Sequence, residues 1–224
     1  MNRILEQYEA LKHYFVFVVN DDPTYSNDRI HKSLQNKFTL PYLEFLSYQL
    51  ERFNSFNILF QSERPLLQSL KPEVEGLIRS IASDFMTMDH VKDTKPKEIV
   101  PKCSSFHVPL EKVYIGMAAT ATLREIEIGA QREDVVKFRS NCKNFLVEAI
   151  VQMEKRFDLD AESHEIVQCT LPENAASMVP PSLKAICRKL PYLSEMLDTE
   201  KLDREWRQHA FESKINRDLN WNEY

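Results

Sequence analysis

The chain has 224 residues, of which 43% are hydrophobic and 28% charged, and its formal net charge is −5. These values are ordinary for a folded protein of one large or two small domains, and a net acidic chain is not typical of a dedicated nucleic-acid-binding module. There are only 3 glycines, where average usage would give roughly 16, which excludes glycine-rich phosphate loops and dinucleotide fingerprints and disfavours an all-β fold with many tight turns.

The cysteines contain no CxxC pair: they are Cys103, Cys142, Cys169 and Cys187. Because the N-terminus shows no secretory signal, this scatter predicts reduced thiols in an intracellular protein. No run approaches the roughly 18 apolar residues that a membrane-spanning helix needs, so no membrane association is expected.

The first predicted element is an amphipathic helix over residues 2–19, capped by Asn2 and stopped by Asn20-Asp21-Asp22-Pro23. Its apolar side carries Ile4, Leu5, Tyr8, Leu11, Phe15 and Val18. The β-branched and aromatic end, residues 14–19, leaves a short strand as the alternative. A loop over 22–26 and a short helix over 27–35 follow.

The central predicted helix covers residues 40–60, with Thr39 as its cap and Pro41 in its first turn. Its apolar stripe, which we expect to be buried, consists of Leu43, Leu46, Leu50, Phe53, Phe56 or Asn57, and Phe60. The opposite, polar face carries Glu44, Gln49, Glu51, Arg52 and Ser55.

Beyond Phe60 the apolar spacing continues to Phe85, although Pro65 and Pro72 would interrupt a helix. Two interpretations fit: one long kinked helix, or a break near residues 62–65 and a second helix to about Met88. In both, residues 66–88 pack beside the central helix.

Residues 90–113 are predicted to form a surface linker, because they are rich in lysine and proline and show little apolar pattern. The linker separates an N-terminal helical layer, residues 1–89, from a C-terminal layer, residues 114–224. We expect the two layers to form one compact domain.

The C-terminal layer begins with predicted helices over 114–128 and 132–157. The second has an apolar stripe of Val135, Phe138, Cys142, Phe145, Leu146, Ala149, Ile150 and Met153. A loop around a short helix (158–181), a short helix (182–189) ended by Pro191, and a last helix (200–215) follow. The sequence therefore predicts an all-α, irregular multi-helix domain of about eight helices built on long amphipathic helices, with little or no sheet.

No candidate catalytic or metal site emerges from the residue spacing. Cys103 with His107, and His164 with Cys169, lack the spacing of a structural zinc site. Among the acids, Glu125 and Glu127 lie on different helix faces, Asp158 and Asp160 flank a helix end, and Asp198 and Glu200 fit a helix N-terminus. No serine lies in a nucleophile elbow, and Cys142 belongs to an apolar stripe. We expect no catalytic residue, no metal and no cofactor.

Two groups of residues are candidate contacts for a partner. The lysines of the predicted linker, Lys92, Lys95, Lys97 and Lys102, could contact phosphates, or could simply be a solvated surface. Trp206 and Trp221 could anchor a partner, although Trp206 shares a helix face with Leu202 and fits a core position better.

Several segments carry a family resemblance when taken in order. They are RILEQYEALKHYF (3–15), YLEFL (42–46), FN (53–54), LFQSERP (59–65), YIG (114–116), FRSNC (138–142), NFL (144–146), KRF (155–157) and LDREWR (202–207). This series, spread over nearly the whole chain, resembles the hAT superfamily of DNA transposases and the domesticated proteins derived from it.

In that family an all-helical insertion domain interrupts a ribonuclease-H-like catalytic core, and the resemblance places this chain inside the insertion. The family's two metal-binding aspartates would lie upstream. Its third acid follows a Ser-x-x-x-Glu-Arg-like pattern continued by Phe-Ser, whereas Ser62-Glu63-Arg64 continues with Pro-Leu. No catalytic residue is therefore carried over, and the resemblance implies a chain that is not an enzyme.

The resulting hypothesis is a non-catalytic, transposase-like helical module that associates with a protein or with nucleic acid. An apolar patch is expected where the first and last helices would meet the catalytic core, open to a protein partner or a second copy. The alternative is weak, sequence-independent DNA binding through residues 92–102. A helical enzyme of another class would need a polar pocket with perturbed acids. The resemblance implies a nuclear location.

Overall fold

The computed structural model describes residues 1–61, 67–157, 182–189, 191–209 and 211. Its α-helices are α1 (Asn2–Glu6), α2 (Tyr8–Asp21), α3 (Tyr25–Gln35), α4 (Thr39–Phe60), α5 (Leu67–Ala82), α6 (Met88–Asp93), α7 (Met117–Glu127), α8 (Arg132–Arg156), α9 (Lys184–Lys189), α10 (Pro191–Met196) and α11 (Thr199–His209). Short 3₁₀ helices lie at Pro96–Glu98, Ser104–Phe106 and Leu110–Lys112. The predicted all-α class is confirmed, since the described residues form no β-structure beyond an isolated bridge between Met86 and His107.

None of the helices described is both long enough and apolar enough to cross a membrane. The chain divides into two compact units: unit 1 contains Met1–Leu59 and Gly76–Met153, and unit 2 contains Phe60–Glu75 and Glu154–Tyr224. This division differs from the predicted layers, because residues 90–113 lie within unit 1 and both predicted layers contribute to that unit.

The core of unit 1 is built from the apolar stripes that the sequence predicts on its later helices. The buried residues of α8 are Phe138, Cys142, Leu146, Ile150 and Met153, all members of the predicted stripe. Phe45 of α4 meets the edge of Phe145 at a centroid distance of 5.5 Å, and Tyr42 lies 4.5 Å from Phe138. Ile78, Ile81, Phe85, Ile115 and Leu123 complete the core.

The first predicted helix is confirmed as the pair α1 and α2, and the strand alternative for residues 14–19 is wrong because α2 continues to Asp21. Helical hydrogen bonding runs through the junction, from Gln7 N to Arg3 O (3.2 Å) and from Leu11 N to Gln7 O (2.8 Å). Asn2 lies inside α1 and does not cap it; Met1 holds that position. The buried Tyr8 donates its hydroxyl to Leu34 O at 2.9 Å, which attaches α2 to α3.

The predicted orientation of α4 is wrong in its middle. Gln49, assigned to the polar face, is fully buried, whereas Leu50 of the apolar stripe is exposed. Thr39, predicted as the cap, is the first helical residue. The physical reason for the rotation is a buried acid, Asp84, which Gln49 and Arg52 contact.

Residues 90–113 are packed against the rest of unit 1 through backbone hydrogen bonds and small apolar contacts. Thr87 N donates to Phe106 O (2.9 Å), Val108 N to Phe85 O (2.9 Å), and Tyr114 N to Asp84 O (2.7 Å). The buried residues of the segment are Val91, Pro96, Ile99, Pro101 and Val113. The segment is therefore held in place by contacts with the end of α5, which its own apolar pattern does not reveal.

Between the two predicted interpretations of residues 60–88, the structure shows α4 ending at Phe60 and α5 beginning at Leu67, with residues 62–66 outside the described part. Pro72 is accommodated inside α5. The predicted buried positions Val74, Ile78, Ile81 and Phe85 are all buried. The apolar spacing therefore identified the helix correctly even though it contains a proline.

In unit 2, α9 and α11 are connected by the carboxylate of Asp203. It accepts hydrogen bonds from the Ser182 hydroxyl (2.8 Å) and from Leu183 N (2.9 Å). Leu183 and Cys187 are buried. Pro191 begins α10, because proline is well suited to the first helical position. The predicted helix within 158–181, the end of the last helix beyond His209, and Trp221 lie outside the described residues.

Candidate interaction surface

The outward side of α2 exposes large aromatic residues. Tyr14 is 60% exposed and Phe17 68% exposed, and Ala10 is also exposed. Residues 10, 14 and 17 share one helix face because they are spaced by four and three. The opposite side of α2 packs inward through Tyr8. The helix is therefore apolar on two sides, and only one of them is covered.

Charged residues lie at both ends of this exposed stripe. Arg3 and Glu6 precede Ala10 by seven and four residues, and Asp21 follows Phe17 by four; all three are exposed. The helical period places them on the same face. Glu9, on the flank, is paired with Lys12 at 3.2 Å. We call the surface formed by Arg3, Glu6, Ala10, Tyr14, Phe17 and Asp21 the α2 face.

The four lysines predicted to contact nucleic acid are exposed on a structured segment. Lys92 lies in α6, Lys95 and Lys97 at the Pro96–Glu98 turn, and Lys102 in the turn before Ser104. The backbone beneath them is anchored by the buried residues of this segment. Exposed acids lie among the lysines, namely Asp89, Asp93 and Glu98, so the surface alternates in sign.

The predicted pair Cys103 and His107 takes part in local contacts. Cys103 Sγ lies 3.0 Å from Ser105 Oγ, and His107 Nε2 lies 2.8 Å from Pro101 O. Within the described ranges no group of three or more His, Cys, Asp or Glu side chains could hold a metal ion. His164 and Cys169 lie outside those ranges.

The predicted acids in the described part have structural contacts. Asp198 Oδ1 accepts hydrogen bonds from Glu200 N and Lys201 N, both at 3.1 Å, so its predicted capping role is confirmed. Glu127 lies 3.5 Å from Arg139. Glu125 lies on α7 beside it in sequence, and Asp158 and Asp160 are outside the described residues. Burial raises the pKa of the Cys142 thiol to about 12, which keeps it protonated and unreactive.

The structure also reveals a buried polar cluster that the sequence pattern did not identify. Arg52 Nη1 lies 2.7 Å from Asp84 Oδ2, and Gln49 Nε2 donates to the same oxygen at 3.2 Å. The Arg52 guanidinium lies over the Tyr48 ring, 4.4 Å from its centroid, and also bonds the Tyr48 hydroxyl. Burial raises the pKa of Asp84, and the hydrogen bonds from Arg52 offset part of that rise. The cluster is enclosed, which is typical of a structural role.

An open cleft of about 770 Å³ lies beside α3 and the start of α8. Its lining residues are Val19, Asp28, His31, Lys32, Gln35, Asn36, Lys37, Phe38 and Asp134. Asp28 and Lys32 pair with each other at 2.6 Å. None of the predicted acid pairs lines this cleft, so it lacks the convergent acids that a helical enzyme would need.

Comparison with known proteins adds no relative. No protein-family model, curated protein or solved structure matches the chain. The functional assignment therefore depends on the chain's own surfaces, of which the α2 face is the most apolar and the lysine segment carries the sequence-predicted phosphate contacts.

Proposed function

We propose that the chain is a non-catalytic helical module that binds a protein through the α2 face. The observation that carries this proposal is the exposure of Phe17 and Tyr14 on a helix whose other side is anchored to α3. Aromatic side chains on a fixed backbone supply much of the binding energy of protein interfaces, at a low cost in conformational entropy. The resemblance to the hAT insertion domain supports a role without catalysis.

The described acids support the same proposal. Asp84 and Asp203 are engaged with Arg52 and Ser182, and Asp198 caps α11. A catalytic acid must reach its substrate within hydrogen-bonding distance, and these carboxylates are already occupied by structural partners. The exposed aromatic residues have no comparable structural partner across the face, which favours binding over chemistry as their role.

Site-specific photo-crosslinking tests the proposal. A photoreactive phenylalanine analogue is placed at Phe17, and a control chain carries it at Ile128, which is 92% exposed but lies beyond the end of α7. We expect a protein adduct at position 17 in extracts of the source cells and none at position 128. The adduct, identified by mass spectrometry, should then bind the purified chain and lose at least about tenfold affinity for the Phe17→Glu variant. An adduct yield at position 17 no greater than at 128 would overturn the proposal.

A second candidate function is weak, sequence-independent DNA binding through Lys92, Lys95, Lys97 and Lys102. Their shared exposure on an anchored segment supports it. It predicts a mobility shift at low salt that weakens steeply as salt rises. Replacing Lys92, Lys95 and Lys102 by Gln should abolish the shift, while Lys37→Gln, on the other side of the α3–α4 junction, should not. Absence of any shift at low salt contradicts this function.

A further inference from the structure

We infer that the α2 face pairs with the α2 face of a second copy of this chain, with the two helices antiparallel. This inference rests on the proposed protein-binding function and names its partner. The face is a single helical stripe of about 27 Å from Arg3 to Asp21 at 1.5 Å per residue. A surface of this shape is matched by another helix, and its own sequence is complementary to itself in one orientation.

Side-chain size sets the centre of the pairing. When a two-fold axis passes midway between positions 10 and 14, Ala10 of one chain faces Tyr14 of the other. A small residue opposite a large aromatic one lets two helices approach closely, as knobs fit into holes. Phe17, the most exposed residue of the stripe, then packs beside the second copy's Gln7, where the helix continues without a break in hydrogen bonding.

Charge selects the orientation and the register. In this antiparallel register Arg3 of each chain faces Asp21 of the other, which forms two symmetric opposite-charge contacts at the ends of the interface. A parallel pairing would place Arg3 on Arg3 and Asp21 on Asp21. An antiparallel register shifted by three residues would place Glu6 opposite Asp21. Like-charge contacts disfavour both alternatives, so the end charges specify one arrangement.

The anchoring of α1 and α2 makes the face rigid before association. The Tyr8 hydroxyl bonds Leu34 O, and the Ser47 hydroxyl lies 3.1 Å from Asn2 Oδ1, so the inward side is fixed at both ends. A rigid helix loses little entropy on pairing. Because one helix face is smaller than a standard protein interface, we expect a reversible dimer whose population rises with protein concentration.

Sedimentation equilibrium of the full chain from about 1 μM to about 1 mM tests the inference. We expect a monomer–dimer equilibrium for the wild type, a monomer for Phe17→Glu, and unchanged association for Ile128→Glu. Arg3→Glu should weaken dimerisation by about tenfold, and combining it with Asp21→Arg should restore it because the end charges are exchanged. Circular dichroism confirms that each variant keeps its helix content.

A monomer at all concentrations would overturn the inference, as would a dimer that survives Phe17→Glu or is not restored by the charge exchange. These outcomes leave the proposed function separately testable. If the chain is monomeric and crosslinks from position 17 to a different protein, only the identity of the partner is wrong. If position 17 crosslinks to nothing, the proposed function fails as well.

Discussion

Gly116 is a residue whose backbone conformation is required by its surroundings. Its φ of 92° lies in the left-handed region, and a Cβ built there would lie 3.1 Å from Cγ of Tyr48. That ring also contacts Arg52 of the buried cluster. Gly76, in contrast, lies inside α5 with no atom within 4 Å of its Cβ position. The two glycines therefore provide opposite tests of the same substitution.

Gly116→Ala should lower the free energy of unfolding by about 1–3 kcal/mol, because alanine is strained at positive φ and its methyl group meets the Tyr48 ring. Gly76→Ala should raise it by about 0.5–1 kcal/mol, since glycine weakens a helix interior. Urea denaturation of both variants measures the difference. An equal or reversed effect of the two substitutions would show that Tyr48 and Gly116 are not arranged as described.

Individual side chains also show where sequence patterns stop being informative. Gln49 and Arg52 have the polarity of a solvent-facing stripe, and only Asp84, more than thirty residues further along the chain, draws them inside. A helical period predicts which residues share a face, but it does not predict that a polar face will meet a buried acid. Tyr14 and Phe17 were missed for the opposite reason: the predicted apolar side of α2 ended at Val18, and aromatic residues beyond it were not expected to be exposed.

At the scale of elements, helices with long apolar stripes were predicted well. The stripe of α8 and the spacing from Val74 to Phe85 correspond to buried positions because many residues of one face enter the same core. Residues 90–113 were predicted as a linker because prolines and lysines conceal five small buried contacts. Their order comes from backbone hydrogen bonds to residues 84–87, which are non-local and have no sequence signature.

Amide hydrogen exchange tests the order of this segment. The amides of Thr87, Val108 and Tyr114 should exchange at least about 100-fold more slowly than unstructured amides, since each donates to a carbonyl across the segment. The amide of the exposed Ser105 serves as the internal control and should exchange quickly. Rapid exchange at all four positions would mean that the segment is a flexible linker after all.

For the molecule as a whole, the buried carboxyl of Asp84 couples stability to pH. Burial raises its pKa in the folded state above the ordinary aspartate value, because desolvation outweighs the hydrogen bonds from Arg52 and Gln49. Below the ordinary value, Asp84 is protonated in both the folded and the unfolded chain. Between the ordinary and the raised pKa, the folded chain retains a proton that the unfolded chain has released. The free energy of unfolding therefore falls as pH rises through that window.

Comparison with Asp84→Asn isolates this contribution, since asparagine keeps the size and hydrogen-bonding capacity of the side chain but does not titrate. The free energy of unfolding of the wild type minus that of the variant should decrease as pH rises from about 4 and become constant once the pH passes the folded-state pKa of Asp84. Chemical denaturation of both chains across this range measures the difference. If the difference increased with pH instead, the ion pair with Arg52 would outweigh burial, and the cluster would stabilise the charged carboxylate.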